Sequence, residues 1–377
     1  MSKFYPVAEP DIGPKEIEYV LEAVRSGWVS SLGRFIGEFE EGFASFCEAD
    51  FGVSVCNGTC GLHLALVAAG IGEGDEVIIP SLTFVATAAA VIYAHATPVF
   101  VDCDDFGNID PIAVTKAISP RTKAVIGVHL YGIPADMASL NEIAEKHDLL
   151  LMEDAAEAHG ARYQGARVGS LAKIGVFSFY GNKLLTTGEG GMITTNDPEL
   201  DQRMRVLRDH AMNPDRRYWH EEVGFNFRMT NLQAALGIAQ LERAESMFQR
   251  RRDVIAHFRN AGLTEEFGIR FNPTPEYCDP APWLVCAWLP SETADQRDRI
   301  CKNLKEHGVD TRPFFNPLHE MPPYSNYRTV AADGSACLDR SMAVSKAGFN
   351  LPSSGNLEVE DLEYIVNAVR KSLGDLI

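Results

Sequence analysis

Apolar residues recur every three or four positions in two stretches near the start of the chain. The first stretch runs from Pro14 to a glycine at position 27, and the second covers about residues 35–49. This spacing puts the apolar side chains on one face of a helix, and a glycine just after the last periodic residue is a common helix stop. Two helices are therefore predicted before residue 50.

From residue 51 the pattern alternates between the spacing of a buried strand and that of a helix. Residues 51–80 read as a strand, a glycine-containing turn, a helix and a second strand. Helices are then expected at 83–96, 109–118 and 139–148, and strands at 97–104, 123–131 and 149–156. Runs such as AVIGVH and LLLMED place apolar residues on both sides of the pleat, which is typical of strands with helices on both faces. We predict an α/β fold with a largely parallel sheet.

Ligands of such sheets collect at the carboxyl ends of the strands. Those ends are expected at 57–59, after Pro80, at 129–132 and at 154–159. A binding site is therefore predicted along this edge.

The alternation becomes less regular after about residue 245. The RRRD cluster at 250–253 is expected on a long helix that crosses between two lobes, and a proline-rich stretch follows it. A strand is then expected at 283–290, and helices at 293–308 and 358–373. At 377 residues the chain exceeds one ordinary domain. We predict a large lobe of residues 1–245 and a smaller α+β lobe of residues 246–377.

Composition and charge narrow the classes of function. With 46% hydrophobic and 23% charged residues, the chain has the composition of a soluble globular protein. The net charge of -18 argues against nucleic acid or an anionic membrane as a partner. The start has no basic segment followed by an apolar one, and no window is apolar enough for a membrane span, so a cytoplasmic protein is expected. Eight cysteines without CxxC pairs favour buried thiols over disulfides or a metal site.

One lysine lies in an unusual local sequence. Lys183 follows a predicted strand by about one turn, and TTGEGG and a further strand come directly after it. A lysine amine, with an ordinary pKa of about 10.4, forms a Schiff base efficiently only where that pKa is lowered. A tight glycine-bounded connection could provide such a site, although a surface lysine remains an alternative.

Two upstream elements add to this hypothesis. Asp154 ends an apolar strand, and a buried carboxylate needs a strong partner. A pyridinium nitrogen would be such a partner, and an ionised Asp154 would keep it protonated. The alternatives are a cap on the next helix or a structural arginine. Residues 57–59 form a strand-to-helix turn whose N–H groups could bind an anion, although short glycine turns are common.

The sequence resembles the sugar aminotransferases of the DegT/DnrJ/EryC1/StrS family, which have the aspartate-aminotransferase (PLP type I) fold. The resemblance runs from residue 10 to the last helix. It depends on the ordered blocks NGTCGLHLAL, PSLTFVATAAAV, PVFVDCD, VHLYG, MEDAAEAHGA, FSFYGNK with TTGEGGM, and GFNFRMTNLQAALG. It implies pyridoxal 5'-phosphate (PLP) as the cofactor and L-glutamate as the amino donor.

The resemblance also implies roles for individual residues. Lys183 would carry the cofactor and move the proton, and Asp154 would pair with the pyridine nitrogen. Phe84 would stack on the ring. The phosphate would be held by Gly58, Thr59 and Ser178.

A further matching position implies an assembly. Asn226 would reach the phosphate from the neighbouring subunit, so a homodimer with shared active sites is expected. Glu157 departs from the family, because many members have glutamine there. A second carboxylate beside the cofactor's phenolic oxygen must have a raised pKa or bond as the neutral acid.

Finer resemblance points to the perosamine synthases, which aminate C4 of a GDP-linked 4-keto-6-deoxymannose. It depends on residues 26–36 and 211–231 and on the block around Lys183. Arginine forks and aromatic surfaces in these segments suit a diphosphate, a base or a sugar. The predicted substrate contacts are Trp28, Arg217, Tyr218, Arg228 and His319, with Arg216 and Trp219 beside them. The alternatives are a surface patch at 216–219 and a structural histidine at 319.

Several functions remain open at this point. Another keto sugar, linked to UDP or dTDP or belonging to the keto-octulosonates, is an alternative acceptor. Relatives with histidine in place of the lysine are dehydratases, and Lys183 argues against that reaction. A cofactor-binding regulator without turnover is disfavoured because both Lys183 and Asp154 are retained. The absence of GxGxxG after the first strand removes the main support for a dinucleotide-dependent oxidoreductase.

Overall fold

The computed structural model describes residues 3–374. Its strands, in chain order, are β1 (Phe51–Val55), β2 (Glu76–Pro80), β3 (Thr97–Val101), β4 (Thr122–Val128), β5 (Leu150–Asp154), β6 (Arg162–Tyr163), β7 (Ala166–Arg167), β8 (Ile174–Ser178), β9 (Gly191–Thr195), β10 (Arg270–Phe271), β11 (Cys278–Asp279), β12 (Val285–Trp288), β13 (Arg312–Pro313), β14 (Thr329–Val330) and β15 (Gly348–Leu351). The α-helices are α1 (Pro14–Ser26), α2 (Arg34–Phe46), α3 (Gly58–Ala68), α4 (Val85–Tyr93), α5 (Pro111–Ala117), α6 (Met137–His147), α7 (Pro198–Arg208), α8 (Asn231–Glu242), α9 (Ala244–Arg259), α10 (Leu263–Phe267), α11 (Arg297–Glu306), α12 (Asp339–Ala347) and α13 (Val359–Gly374).

The large sheet has eight strands in the order β1-β9-β8-β5-β4-β2-β3-β14. Only β9 runs against the others, because it pairs antiparallel with both β1 and β8 while the remaining neighbours pair parallel. The prediction of a largely parallel sheet is confirmed. Parallel neighbours require crossover connections. The helices that form these connections were predicted from the helical spacing of apolar residues between the strands.

Both faces of this sheet are covered. In β2, Val77 and Ile79 pack in the layer that contains residues of α3, α4 and α7, whereas Ile78 packs in the layer of α5 and α6. All three side chains are fully buried. Successive side chains of a strand point to opposite faces, so a strand covered on both sides has consecutive apolar residues at its centre.

The first helix has end signals that are visible in the sequence. Pro14 is its first residue, where a missing N–H costs nothing, and the Glu16 carboxylate accepts the Gly13 N–H at 2.9 Å. Gly27 follows the last turn at φ 76°, a left-handed conformation that glycine adopts without strain. The helix that was predicted from Pro14 is therefore confirmed.

A second core lies under the four-stranded sheet β10-β12-β15-β13. Helix α9 connects the two lobes, because Met247 and Phe248 pack in the first lobe and Val254 and Phe258 in the second. It carries residues 250–253, as predicted. Tyr5, near the start of the chain, packs in the core of the smaller lobe. Strand β14, from the second part of the chain, joins the sheet of the large lobe. The boundary at residue 245 stays a prediction.

Some local expectations differ from the structure. The second helix ends at Phe46 instead of about residue 49. The proline-rich stretch contains β11, which pairs with β6 in a three-stranded sheet that the pattern did not reveal. Strands of two residues carry too little periodicity to be recognised.

The cysteines follow the prediction only in part. All eight are free thiols, and Cys47, Cys103 and Cys286 are buried. Cys337 is exposed, so the prediction of buried thiols is wrong there. The reason is its place in a surface turn before α12, where its Sγ lies 2.9 Å from Asp339 Oδ1.

No helix within residues 3–374 combines the length and apolarity that a membrane crossing requires.

Candidate active site

A cavity of about 630 Å³ opens at the carboxyl ends of the large sheet's strands. Its walls come from the turns after β1, β2, β4, β5 and β8, which include the four strand ends that the sequence singled out, and from the smaller lobe. Seven of the eight predicted catalytic and cofactor-binding residues line it: Gly58, Thr59, Phe84, Asp154, Glu157, Ser178 and Lys183. Positions far apart in the sequence therefore meet in one place.

Lys183 is a buried lysine, and the surface-lysine alternative is wrong. Its side chain is 11% exposed, and its Nζ lies 3.7 Å from Glu157 Oε1. Nζ also lies 4.1 Å from the centre of the Trp283 ring. Burial lowers the pKa of the amine, because the charged form loses its hydration, while Glu157 and Asp154 oppose that shift. The lysine is thus closer to its neutral, nucleophilic form than a surface lysine is.

Asp154 closes β5 at the bottom of the cavity. Its Oδ2 accepts a hydrogen bond from Thr87 Oγ1 at 2.8 Å, and Thr87 is in turn 3.0 Å from Thr83 Oγ1. Burial raises the pKa of the carboxyl, while the Thr87 bond and the Lys183 charge hold it down. Within residues 3–374 no arginine pairs with it, so a cationic partner in the cavity would be strongly favoured.

Glu157 faces Lys183 from the turn after β5. Its Oε2 accepts the backbone N–H of Tyr131 at 2.8 Å. Burial raises the pKa of this carboxyl, and the Lys183 charge opposes the rise. The glutamate is therefore fixed in place by a main-chain donor, and burial pushes it towards the neutral acid that the sequence suggested for this position.

The turn from β1 into α3 forms a cradle at the cavity floor. The Asn57 side chain accepts the Cys60 N–H at 2.8 Å and begins the helix. A Cβ added to Gly58 would lie 2.9 Å from Ser178 Cβ. Only glycine therefore lets the start of α3 approach the end of β8 this closely. The start of α3 therefore packs against Ser178 at the cavity, and the N–H groups of a helix start beside a hydroxyl suit a phosphate.

Phe84 covers one wall. It is 54% exposed, directly before α4, and its ring centre lies 5.7 Å from that of Phe315 in the smaller lobe. An aromatic face that is open to the cavity can stack on a planar ring.

The remaining predicted residues do not line the cavity of their own chain: Trp28, Arg217, Tyr218, Asn226, Arg228 and His319. Trp28 and Tyr218 are 55% and 75% exposed. The Arg228 Nη1 atom pairs with Asp209 Oδ1 at 2.8 Å, and its Nη2 donates to Asn226 Oδ1 at 3.1 Å.

His319 has a local partner. Its Nδ1 lies 2.6 Å from Ser81 Oγ, and burial lowers its pKa. This contact agrees with the structural alternative for His319, and a role towards the substrate stays a prediction. At 216–219, Arg216 and Arg217 stack on Trp219 and Tyr218, at 3.9 and 4.9 Å from the ring centres.

Several cavity residues were not named from the sequence. Tyr131 lies in the HLYG block at a predicted ligand edge, so its position was a usable signal. Thr87 does not line the cavity but donates to Asp154, and it lies in the quoted block around Phe84. Trp283, Arg312 and Asn350 belong to the smaller lobe, and nothing in their local sequence indicates that they reach this cavity.

Comparison with known proteins places these features in a family. A model of the DegT/DnrJ/EryC1/StrS aminotransferase family matches residues 10–370. The chain belongs to this family. A GDP-perosamine synthase of Caulobacter vibrioides is 45% identical over 370 residues, which cover 97% of this chain and 98% of the relative.

Solved structures of the family have the same fold. Helicobacter pylori PseC, an aminotransferase involved in the biosynthesis of pseudoaminic acid, matches with a TM-score of 0.92 at 27% identity, over 99% of this chain and 100% of that chain. Spr1654 from Streptococcus pneumoniae in its PLP form matches with a TM-score of 0.91 at 26% identity, over the same shares. The chain is a PLP-dependent sugar aminotransferase with the predicted α/β fold.

The residues at the cavity fit PLP. The buried Asp154 carboxylate lacks a cationic partner among residues 3–374, the Gly58 cradle would be filled by a Cβ, and the Lys183 amine has a lowered pKa. The pyridine nitrogen of PLP would pair with Asp154 and its phosphate would lie in the Gly58 cradle. Its aldehyde would react with the Lys183 amine.

Proposed function

We propose that this protein transfers the amino group of L-glutamate to C4 of a GDP-linked 4-keto-6-deoxymannose and so makes GDP-perosamine. The observation that carries this proposal is the buried Lys183, with Asp154 and Glu157 around it, in a chain that resembles a GDP-perosamine synthase from end to end. Bound PLP supplies an aldehyde for an amine and an electron-withdrawing ring that stabilises a carbanion.

The chain's own residues would hold the cofactor at fixed points. Asp154, oriented by Thr87, would accept a hydrogen bond from the protonated ring nitrogen and keep its charge. Gly58, Thr59 and Ser178 would bind the phosphate. Phe84 would stack on the ring, and Glu157, fixed by the Tyr131 N–H, would bond to the phenolic oxygen.

Lys183 would move the proton. Its lowered pKa raises the fraction of neutral amine, which is the form that can remove a proton from the donor's α-carbon. Lys183 would pass that proton to the cofactor's methine carbon, and in the second stage it would take a proton from there and give it to the sugar carbon. The walls from Trp283 and Tyr131 limit the access of water to the amine, which favours transfer over exchange with solvent.

The active site is proposed to be shared between two subunits. The predicted contacts Trp28, Arg217, Tyr218 and Asn226 are absent from the cavity of their own chain and lie at the surface. Apolar side chains of α1, the helix that precedes Trp28, are also exposed, Ile17 at 57% and Val24 at 52%. Exposed apolar surface of this kind favours association. Arg228 and His319 are proposed as further substrate contacts, and a cytoplasmic location stays a prediction.

Mixed dimers would test the sharing. A Lys183→Ala subunit combined with an Arg217→Ala subunit gives one site with both changes and one with neither. The mixture should recover activity that each variant alone lacks, and a mixture without recovery would contradict shared sites.

The central experiment supplies a panel of keto sugars, linked to GDP, UDP or dTDP, together with L-glutamate. The wild-type protein should release 2-oxoglutarate with the GDP-linked sugar and yield the C4 amine. Borohydride should fix the cofactor at Lys183, and Lys183→Ala should lose both fixation and amination. The matched control is Lys173→Ala, a surface lysine whose side chain is 55% exposed. A colourless wild-type protein without fixation at Lys183 would overturn the proposal.

A further inference from the structure

Arg312 is a charged cavity residue for which no role has been given so far. It lies on β13 of the smaller lobe, opposite Asn350 in the pairing with β15, and it lines the same cavity as Lys183. The Tyr131 hydroxyl accepts the Phe315 N–H at 2.8 Å, so the segment after β13 is also fixed to the large lobe. The base of the Arg312 side chain is therefore held by both lobes.

The cavity is otherwise rich in negative charge. Its walls contain the carboxyl groups of Asp154, Glu157 and Glu189, and only two cationic side chains, Lys183 and Arg312. Lys183 has Glu157 beside it. Within residues 3–374, the Arg312 guanidinium forms no ion pair and donates no hydrogen bond. It is a cation directed at a cavity that an anionic ligand must enter.

Arg312 also lies near the reaction centre. Burial lowers the pKa of Lys183, and the Arg312 charge contributes to the same shift. Both side chains line the same cavity, and the interaction between two charges weakens with distance. An anion bound by Arg312 would thus be held close to the carbon whose proton Lys183 removes.

The two substrates differ in where their negative charge lies relative to that carbon. In glutamate the α-carboxylate is bonded directly to the reacting α-carbon. In the nucleotide sugar the diphosphate is attached to C1, across the ring from the keto carbon at C4. A cation beside Lys183 therefore matches the carboxylate better than the diphosphate. The planar guanidinium fork is also suited to binding both oxygens of a carboxylate.

We propose that Arg312 binds the α-carboxylate of the amino donor and so determines that an amino acid loads the cofactor. This inference rests on the proposed function only in requiring an amino-acid donor, and it does not depend on which sugar is aminated. Arg312 supplies a positive charge that offsets part of the repulsion between the carboxylates of the amino acid and those of Asp154, Glu157 and Glu189.

The test separates the two half-reactions in Arg312→Gln and Arg312→Lys. L-glutamate alone is added to the holoenzyme, and the loss of the visible absorbance of the lysine-bound cofactor gives its apparent dissociation constant. Loss of a charge-assisted bidentate contact should raise this constant by roughly 10- to 100-fold in Arg312→Gln. Arg312→Lys keeps the charge without the fork and should show a smaller rise. The constant for the keto sugar with the amino form of the enzyme should not change.

A binding measurement without turnover accompanies the kinetics. Glutarate, a dicarboxylate that cannot react, should bind to the wild-type holoenzyme by calorimetry and lose affinity in Arg312→Gln. The control is Arg121→Gln, because Arg121 pairs with Glu76 at the opposite edge of the sheet. Unchanged glutamate and glutarate constants in both Arg312 variants would overturn the inference. So would an increase confined to the sugar, which would place the diphosphate at Arg312.

These outcomes are distinguishable from failure of the proposed function. Glutamate loads the cofactor before any sugar is present, so the donor constants are measured even if the GDP-linked sugar is refused. If Arg312→Gln does not fold, as judged by circular dichroism, the Arg312→Lys constants decide the question.

Discussion

The Lys183 amine lies 4.1 Å from the centre of the Trp283 ring, and the Trp283 indole N–H donates to the Asn182 carbonyl at 2.8 Å. A residue of the smaller lobe therefore covers the reactive lysine and is anchored to the residue beside it. The face of an indole ring attracts an ammonium group more than a neutral amine. Trp283 thus favours the protonated lysine, whereas burial favours the neutral one.

Replacement of Trp283 should lower the pKa of Lys183 further. Trp283→Leu removes the ring, and Trp283→Phe keeps a weaker one and should give a smaller change. The measurement is the rate at which a lysine-directed reagent modifies Lys183 in the apoprotein as a function of pH, followed by mass spectrometry. Trp288→Phe is a control at another buried tryptophan of the smaller lobe. An unshifted profile in Trp283→Leu would contradict the assigned contact.

Glu157→Gln should move the pH profile of glutamate deamination towards lower pH. The Glu157 carboxylate raises the pKa of Lys183, so its removal lowers that pKa and the neutral amine persists to lower pH. The fold should be kept, because an amide oxygen can still accept the Tyr131 N–H. The check is the pH dependence of the glutamate half-reaction. If the acidic side of the pH–rate profile stays in place or moves to higher pH, Glu157 does not raise the pKa of Lys183.

Gly58→Ala should weaken PLP binding. The new Cβ would lie 2.9 Å from Ser178 Cβ, so the cradle must open, at a cost of about 1–3 kcal/mol for overpacking. The matched control is Gly37→Ala on the exposed face of α2, where an added Cβ meets nothing within 4 Å. That change should stabilise the helix by about 0.5–1 kcal/mol. Absorbance titration of the apoproteins with PLP measures the first effect, and thermal unfolding measures the second. Equal PLP affinity in both variants would contradict the cradle.

His159→Phe should make the protein less sensitive to mild acid. His159 is fully buried, 5.3 Å from the Phe179 ring centre, and burial lowers its pKa to about 3. In the unfolded chain the pKa is about 6.5, so the stabilisation is complete above that pH and is lost as the pH falls towards 3. At about pH 5 the wild-type loss from this group should be about 2 kcal/mol.

Urea unfolding midpoints at about pH 7.5 and pH 5 measure that difference. The carboxyl groups titrate in both proteins, so their contribution cancels in the comparison. An equal drop in the midpoint for the wild type and His159→Phe would show that His159 is not the responsible group.

Much of the large lobe follows from local pattern. Strands covered on both faces have consecutive apolar residues, as Val77, Ile78 and Ile79 show in β2, and such runs are visible in the sequence. The Lys183, Asp154 and Gly58 positions could be found because each lies at or soon after the end of a strand, and parallel strands bring their carboxyl ends to one edge. The parallel topology of the sheet thus implied that these three residues lie close together.

The contribution of the smaller lobe could not be predicted in the same way. Trp283 and Arg312 reach the cavity through the packing of one lobe on the other and through the pairing of β13 with β15. Neither relation has a local signature. Likewise Thr87 looks like any threonine in a helix, and only its hydrogen bond to Asp154 distinguishes it. Positions that depend on tertiary contact alone carry no periodic signal.

Strand β14 has a consequence for the solubility of the protein. Val330 lies beside Val101, and the Arg328 carbonyl accepts the Phe100 N–H at 2.9 Å, so the outer side of β3 is occupied by a return of the chain from the other lobe. An uncovered β3 would offer a row of free main-chain groups to any neighbouring molecule. Loss of residues 325–332 should therefore produce intermolecular strand addition and precipitation even where the catalytic groups are intact.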